Sequence, residues 1–341
     1  MNAITQRMPH AAIETQPMQA ILQTAYGDAE VLRFGTHARP RIGKAEVLIK
    51  VRAAGMDRGT WHLMAGKPYL MRLVTGFRGP KNPLVGLDVA GVVVEVGASV
   101  TRFKVGDEVF GISKGSFAEF ACAREDKLAK KPANFSFEQA AVTGVSGLTA
   151  LQALRDAGRV QPGQRVLIIG ASGGVGSYAV QLARAFGAEV TAVCSAAKRE
   201  RVLSLGATRV IDYAREDFAS EDTKYDLILD IAGNSPLSRL RKVLTEKGTI
   251  VLVGGEGGDA LTGGMGRQLG AVVRSLFSKQ RFVMKPPNEN AADLEVLAQL
   301  AEAGKFTPAI DSTWPLARAA DAMRQLVAGK VAGKIAIVLS P

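Results

Sequence analysis

The sequence predicts an α/β protein of two units, a β-rich first half and a doubly wound parallel sheet in the second. Three observations predict it. An apolar, β-branched run at 166–169 stops in small residues at 170–176, and a helical pattern begins at once. Strand-like and helix-like segments then alternate as far as residue 254. Before residue 141 the pattern differs, with short strands punctuated by glycine and no helical alternation.

The elements follow in order. Residues 1–17 lack periodicity and read as a disordered tail, and Met18 is an alternative start. Strands are expected at 18–24, 47–51, 89–96 and 117–122, with turns at Gly86, Gly97, Gly106, Gly111 and Gly115. After the strand at 166–169, a helix is expected with Val175, Ala179, Leu182, Ala183 and Phe186 on its inner face and Gly187 as its C-terminal cap. Further strands are expected at 189–194, 209–213, 225–232 and 248–254, with helices at 198–205 and 237–244. Apolar strands joined by crossover helices make a parallel sheet covered on both faces. Residues 279–285 alternate polar and apolar and stop at two prolines, the pattern of an edge strand.

The loop carries the chemistry. It reads Ala171, Ser172, Gly173, Gly174, Val175, Gly176, an A-x-G-x-x-G fingerprint between strand and helix. Small residues let the backbone approach a pyrophosphate, and the helix N-terminus favours its charge. The group that reads the adenosine ribose stands about 20 residues further on, an Asp or Glu when the 2′-hydroxyl is bonded. Here that place holds Ser195, then Lys198 and Arg199. The missing acid and the two cations point to a 2′-phosphate and therefore to NADPH. The two cations alone also fit the solvated start of a helix, and the missing acid in the same place favours the phosphate. Strand ends at Ala232 and at Gly254 and Gly255 are placed to approach the same cofactor.

Composition narrows the class. The chain has 341 residues, 47% hydrophobic and 22% charged, which suits a globular protein of two domains. No apolar run is long enough for a membrane span, and no signal-peptide core is visible, so no membrane partner is expected. Two cysteines, Cys122 and Cys194, make neither a disulfide framework nor a metal-ligand spacing, and a cytoplasmic location fits. The net charge of +11 raises the question of nucleic acid, but the cations are scattered and no RNA-binding aromatic signature is present. The exception is residues 263–287, with five cations and no acid: an entrance for an anionic ligand, or a solvated or subunit-contacting face.

The order of motifs resembles a family. Residues 46–51 with Ala54 and Gly55 come first, then Gly86-Leu-Asp88-Val-Ala-Gly91, 105–111, 144–150, the nucleotide loop, and Gly333-Lys334 near the end. Together they resemble the zinc-free, quinone oxidoreductase branch of the medium-chain dehydrogenases/reductases, over nearly the whole chain after Met18. The resemblance implies a GroES-like catalytic domain, residues 18–141 and 307–341, and a Rossmann NADP-binding domain, residues 142–306. Zinc-dependent members carry a Cys where this chain has Asp57 and a His where it has Leu87, so no metal is expected.

Without a Lewis acid, the resemblance implies reduction of an already electron-poor acceptor, a quinone or α,β-unsaturated carbonyl. It implies that Tyr69 is a proton donor and that Asp57 orients substrate or ribose, with a packing role for Tyr69 equally open. Tyr213 would add a hydroxyl to the 2′-phosphate. The nicotinamide is expected against Val145, Gly254, Gly255, Gly333 and Lys334, with Asp57 and Tyr69 opposite. His62, beside Trp61, and Asp88, in a turn, read as structural. A homodimer through the 279–285 edge is expected. Two alternatives stay open: a zinc-free NADP-dependent alcohol or enoyl-thioester oxidoreductase, and a non-catalytic binding protein that keeps the cofactor fold.

Overall fold

The computed structural model describes residues 17–220, 222–254, 261–263, 266, 270, 278–284 and 286–339. Strand β1 (Pro17–Leu22) starts one residue inside the expected tail and pairs antiparallel with β2 (Arg33–Ala38). The rest of the tail lies outside the described residues.

A seven-stranded sheet forms the first unit, in the order β14-β15-β3-β4-β5-β7 with β6 also paired to β3. Its strands are β3 (Glu46–Met56), β4 (Asp88–Val96), β5 (Glu108–Ile112), β6 (Phe120–Arg124), β7 (Leu128–Lys130), β14 (Ile310–Pro315) and β15 (Lys334–Val338). The C-terminal β15 lies antiparallel against β3, with Ile335 opposite Met56. The chain therefore leaves this sheet for the second unit and returns to complete it. Helix α1 (Arg58–Ala65) and the one-turn α2 (Arg72–Thr75) lie between β3 and β4. Helices α3 (Phe137–Ala141) and α4 (Gly144–Gln152) lead out of the unit.

The second unit is a six-stranded parallel sheet in the order β10-β9-β8-β11-β12-β13. Its strands are β8 (Arg165–Ile169), β9 (Glu189–Cys194), β10 (Arg209–Asp212), β11 (Tyr225–Asp230), β12 (Leu244–Leu252) and β13 (Arg281–Met284). The order reverses between β8 and β11, and ligands of such sheets bind at the carboxyl ends beside this switch point. Helices α5 (Gly174–Ala185), α6 (Arg199–Ser204) and α7 (Leu237–Lys242) connect the strands. Gly187 caps α5 at φ +82°, a value that favours glycine. The segment expected as an edge is β13, on the sheet's border; its last residue, Lys285, lies outside the described residues.

The expected strand at 248–254 begins four residues earlier, at Leu244. Strands β2, β5, β7 and β14 are not among the expected ones: β2 and β14 contain no buried residue, β5 is nearly all buried, and β7 is three residues long, so none shows a clear alternation of buried and exposed positions. Helix α8 (Ala291–Glu302) packs on the first unit's side of the molecule, and α9 (Ala319–Val327) precedes β15. One continuous core joins the units: Phe110 and Ile112 of β5 pack in the same cluster as Leu148 and Leu151 of α4 and Leu294 and Leu297 of α8. This shared core fixes the seam at which the functional residues meet.

Candidate active site

Four elements converge on one buried ammonium. Asp57 follows β3 and caps α1, its Oδ1 accepting the amide of Thr60 at 2.8 Å and its hydroxyl at 3.1 Å. Asp88 opens β4, paired with Gly55 across the sheet. Ser146 lies in the first turn of α4, and Lys334 opens β15. The Lys334 Nζ donates to Ser146 Oγ at 3.0 Å and lies 3.3 Å from both Asp57 Oδ2 and Asp88 Oδ2. Lys334 is 1% exposed and Asp88 0%. Charges this deep persist only when paired and hydrogen-bonded.

The sequence makes room for this group. A side chain at Gly55 would strike the Ala141 carbonyl at 2.6 Å and Asp88 at 2.8 Å, and one at Gly144 would lie 2.6 Å from Asp88 Oδ1. That oxygen instead accepts the Val145 amide at 2.7 Å. Burial pushes the Asp88 carboxyl up to about 7, against the attraction of Lys334 and with the repulsion of Asp57. Burial works to lower the Lys334 pKa, but Asp57 and Asp88 together hold it above the ordinary lysine value.

The same residues touch the nucleotide loop. The Gly333 amide donates to the Ser172 carbonyl at 2.8 Å, and a side chain at Gly174 would meet the Lys334 stem at 3.0 Å. Gly176 has no alternative, because a Cβ would lie 2.2 Å from the Gly170 carbonyl. Gly173 differs. A Cβ there meets only the Gly170 carbonyl, at 3.5 Å, so packing within the chain does not require glycine. Close approach of a ligand to the backbone does. Gly173 caps α5 and Gly174 and Val175 form its first turn, whose amides have no partner within the helix. These residues fit the pyrophosphate of a dinucleotide.

The other expected residues fall as follows. Ala232 closes against the loop, its amide donating to the Ile169 carbonyl at 3.2 Å. Gly254 is forced, since a Cβ would lie 1.9 Å from the Ile231 carbonyl; Gly255 lies outside the described residues. Ser195 and Tyr213 follow the paired ends of β9 and β10, and the Tyr213 amide donates to the Cys194 carbonyl at 3.3 Å. Tyr213 is 66% exposed. Lys198 is not a free cation: its Nζ donates to the Gly329 and Val331 carbonyls at 3.0 and 2.7 Å. Arg199 donates to the Val210 carbonyl at 2.7 Å. These three bonds hold the two side chains in place.

Two expectations are corrected. Asp57 does not stand opposite residues 333–334 across a cleft but is ion-paired to Lys334. Asp88 is not in a turn; it opens β4 and belongs to the charged group. Tyr69 is half-exposed and makes no hydrogen bond to the group among the described residues. The Arg72 guanidinium lies 4.6 Å from the centre of its ring and equally close to that of Tyr26. Sequence reasoning missed Ser146. It also missed the joining of Asp57, Asp88 and Lys334, although a carboxylate opening an apolar strand such as β4 signals a buried partner.

Comparison with known proteins now decides the family. The alcohol dehydrogenase GroES-like domain profile matches residues 43–133, and the zinc-binding dehydrogenase profile matches residues 205–337. The chain is 36% identical to the chloroplast envelope quinone oxidoreductase homolog of Arabidopsis thaliana, over 94% of this chain and 98% of that protein. The chain belongs to the quinone oxidoreductase branch of the medium-chain dehydrogenases/reductases. It is also 35% identical to 2-methylene-furan-3-one reductase of Solanum lycopersicum, over 94% of this chain and 79% of that one. A mycobacterial protein solved in complex with NADPH superposes with a TM-score of 0.80 at 26% identity, over 94% of this chain and all of that one.

As a quinone oxidoreductase-family enzyme, the chain has a GroES-like domain and a Rossmann nucleotide-binding sheet. The zinc named in one matching profile does not fit these residues. No group of three or more His, Cys, Asp or Glu side chains among the described residues is arranged to hold a metal. The two carboxylates nearest the expected position already face a fixed ammonium.

Proposed function

We propose that the chain is an NADPH-dependent reductase of quinones or α,β-unsaturated carbonyl compounds that works without zinc. One observation carries this reading. Residues 333 and 334 link the nucleotide loop to the carboxylates Asp57 and Asp88, and the positive charge between those carboxylates is supplied by the chain itself. A buried, fully coordinated ammonium is not free to polarise a simple carbonyl as an open metal site does. The acceptor must therefore be electron-poor before it arrives.

When bound, NADPH supplies the hydride. The first-turn amides of Gly174 and Val175 hold the pyrophosphate where Gly173 lets it approach the backbone, Val145 and residues 333–334 support the nicotinamide end, and Ala232 and Gly254 line the strand ends. Ser195, Lys198, Arg199 and Tyr213 receive the 2′-phosphate. The bonds of Lys198 and Arg199 to backbone carbonyls support this reading, because they orient both cations at little further entropic cost. Tyr69 donates a proton to the reduced product where one is needed, its ring held by Arg72. Asp57 orients the substrate side of the site while remaining tied to Lys334. We divide the domains at 141/142 and 306/307, and we expect a homodimer through the exposed edge of β13.

The test is NADPH oxidation against quinones, enones, enoyl thioesters, aldehydes and alcohols, with both cofactors titrated by fluorescence. Activity with quinones or enones, tighter binding of NADPH than NADH, and no stoichiometric zinc are expected. Equal cofactor affinity, or activity confined to plain alcohols and dependent on bound zinc, would overturn the proposal.

A further inference from the structure

We propose that residues 69–81 form a docking surface for an anionic lipid bilayer. Leu73, Val74 and Phe77 are 70%, 77% and 78% exposed, and the amide of Leu70, exposed in the turn before them, donates to the carbonyl of the exposed Leu261 at 3.2 Å. Single exposed apolar side chains are ordinary, but a run of them on a fixed support marks an interaction surface. The support is fixed. The Tyr26 hydroxyl bonds the Thr75 hydroxyl at 2.7 Å and the Gly76 carbonyl at 2.8 Å, and Arg72 donates to the Gly66 carbonyl at 2.9 Å while stacked on two tyrosine rings. The segment's folding rests on these polar anchors, and the three apolar side chains are left to water.

Charge identifies the occupant. Residues 58–87 contain five cations, Arg58, Lys67, Arg72, Arg78 and Lys81, and no Asp or Glu. Arg78 and Lys81 are exposed on either side of the turn that follows Phe77. Apolar side chains flanked by cations suit the boundary between acyl chains and anionic headgroups, where the former insert and the latter meet phosphate. The chain's net charge of +11 adds long-range attraction to such a surface. A second copy of the same face would instead oppose like charges. No helix among the described residues is long and apolar enough to cross a membrane, so the contact is peripheral.

The test is co-sedimentation of the full chain with vesicles of phosphatidylcholine alone or mixed with phosphatidylglycerol. Binding is expected only to the anionic vesicles. Leu73→Ser with Val74→Ser and Phe77→Ser should weaken it about tenfold or more, and Arg78→Gln and Lys81→Gln about fivefold each. In Phe77→Trp, a conservative change, tryptophan emission should be quenched by brominated lipid. Failure to bind anionic vesicles, unchanged binding by the triple variant, or unquenched emission would overturn the proposal. So would a smaller oligomer of the triple variant by light scattering, which would assign residues 69–81 to a second copy. None of these readings depends on turnover, so a failed acceptor assay leaves them standing.

Discussion

Lys334→Met removes the one positive charge that Asp57, Asp88 and Ser146 share. The methionine fills much of the same volume, so the change is chiefly electrostatic. Breaking a buried ion pair by deleting one partner costs about 3–5 kcal/mol. That corresponds to roughly 4–7 °C in melting temperature for a chain of 341 residues. The loss depends on pH, and its sign follows from Asp88. In the intact protein burial raises this carboxyl from 3.8 to about 7. A raised folded pKa contributes stability that is fully present below the unfolded value and is lost as pH rises through the folded one. For Asp88 this is a decline of about 4 kcal/mol between pH 4 and 7. Lys334, also raised, extends the decline above the ordinary lysine range. Without Lys334 the Asp88 carboxyl resists ionisation more strongly, so the variant should lose most at pH 8 and much less at pH 5, where a proton on Asp88 replaces part of the missing charge. Thermal melts of the cofactor-free protein at both pH values measure this. Equal melting of variant and parent at pH 8, or the same loss at both pH values, would refute the reasoning.

The other predictions concern single contacts. Gly176→Ala would drive a Cβ to 2.2 Å from the Gly170 carbonyl; it should cost about 1–3 kcal/mol and abolish NADPH binding, read by melting and by fluorescence titration. Asp57→Asn keeps the cap on α1 and should lower stability less than Asp57→Ala, which adds a capping loss of about 1 kcal/mol; denaturant titration separates the two, and identical losses would deny the cap its role. Tyr69→Phe should lower kcat on an enone by about 10²-fold if its hydroxyl is the acid, and affect a quinone reduced without that proton far less; undiminished rates on every acceptor would exclude Tyr69.

Much of this fold was legible because its signals are local. The loop at 170–176 lies between an apolar strand and an amphipathic helix, and β9 falls at the residues its β-branched pattern indicates. The switch of partners between β8 and β11 and the return of β15 to β3 depend on contacts far apart in sequence, and there the order of family motifs supplied what periodicity does not. At the site, the positions of the loop glycines and of the residues that follow β9 were readable from spacing. The charged group was not. Asp57 and Lys334 are 277 residues apart and carry no shared pattern, and only the folded chain brings them to 3.3 Å. A membrane span is legible as a long apolar run, whereas three exposed apolar residues, Leu73, Val74 and Phe77, on a polar support have no such signature.

The central claim is hydride transfer from NADPH to an electron-poor acceptor. Its most direct test is turnover of an enone with NADPH deuterated at both C4 positions, followed by NMR of the product. One deuterium is expected at the carbon β to the carbonyl for each NADPH consumed, in metal-depleted enzyme as in untreated enzyme. Cofactor oxidation without deuterium in the product, or transfer that vanishes when metal is removed and returns with zinc, would contradict it.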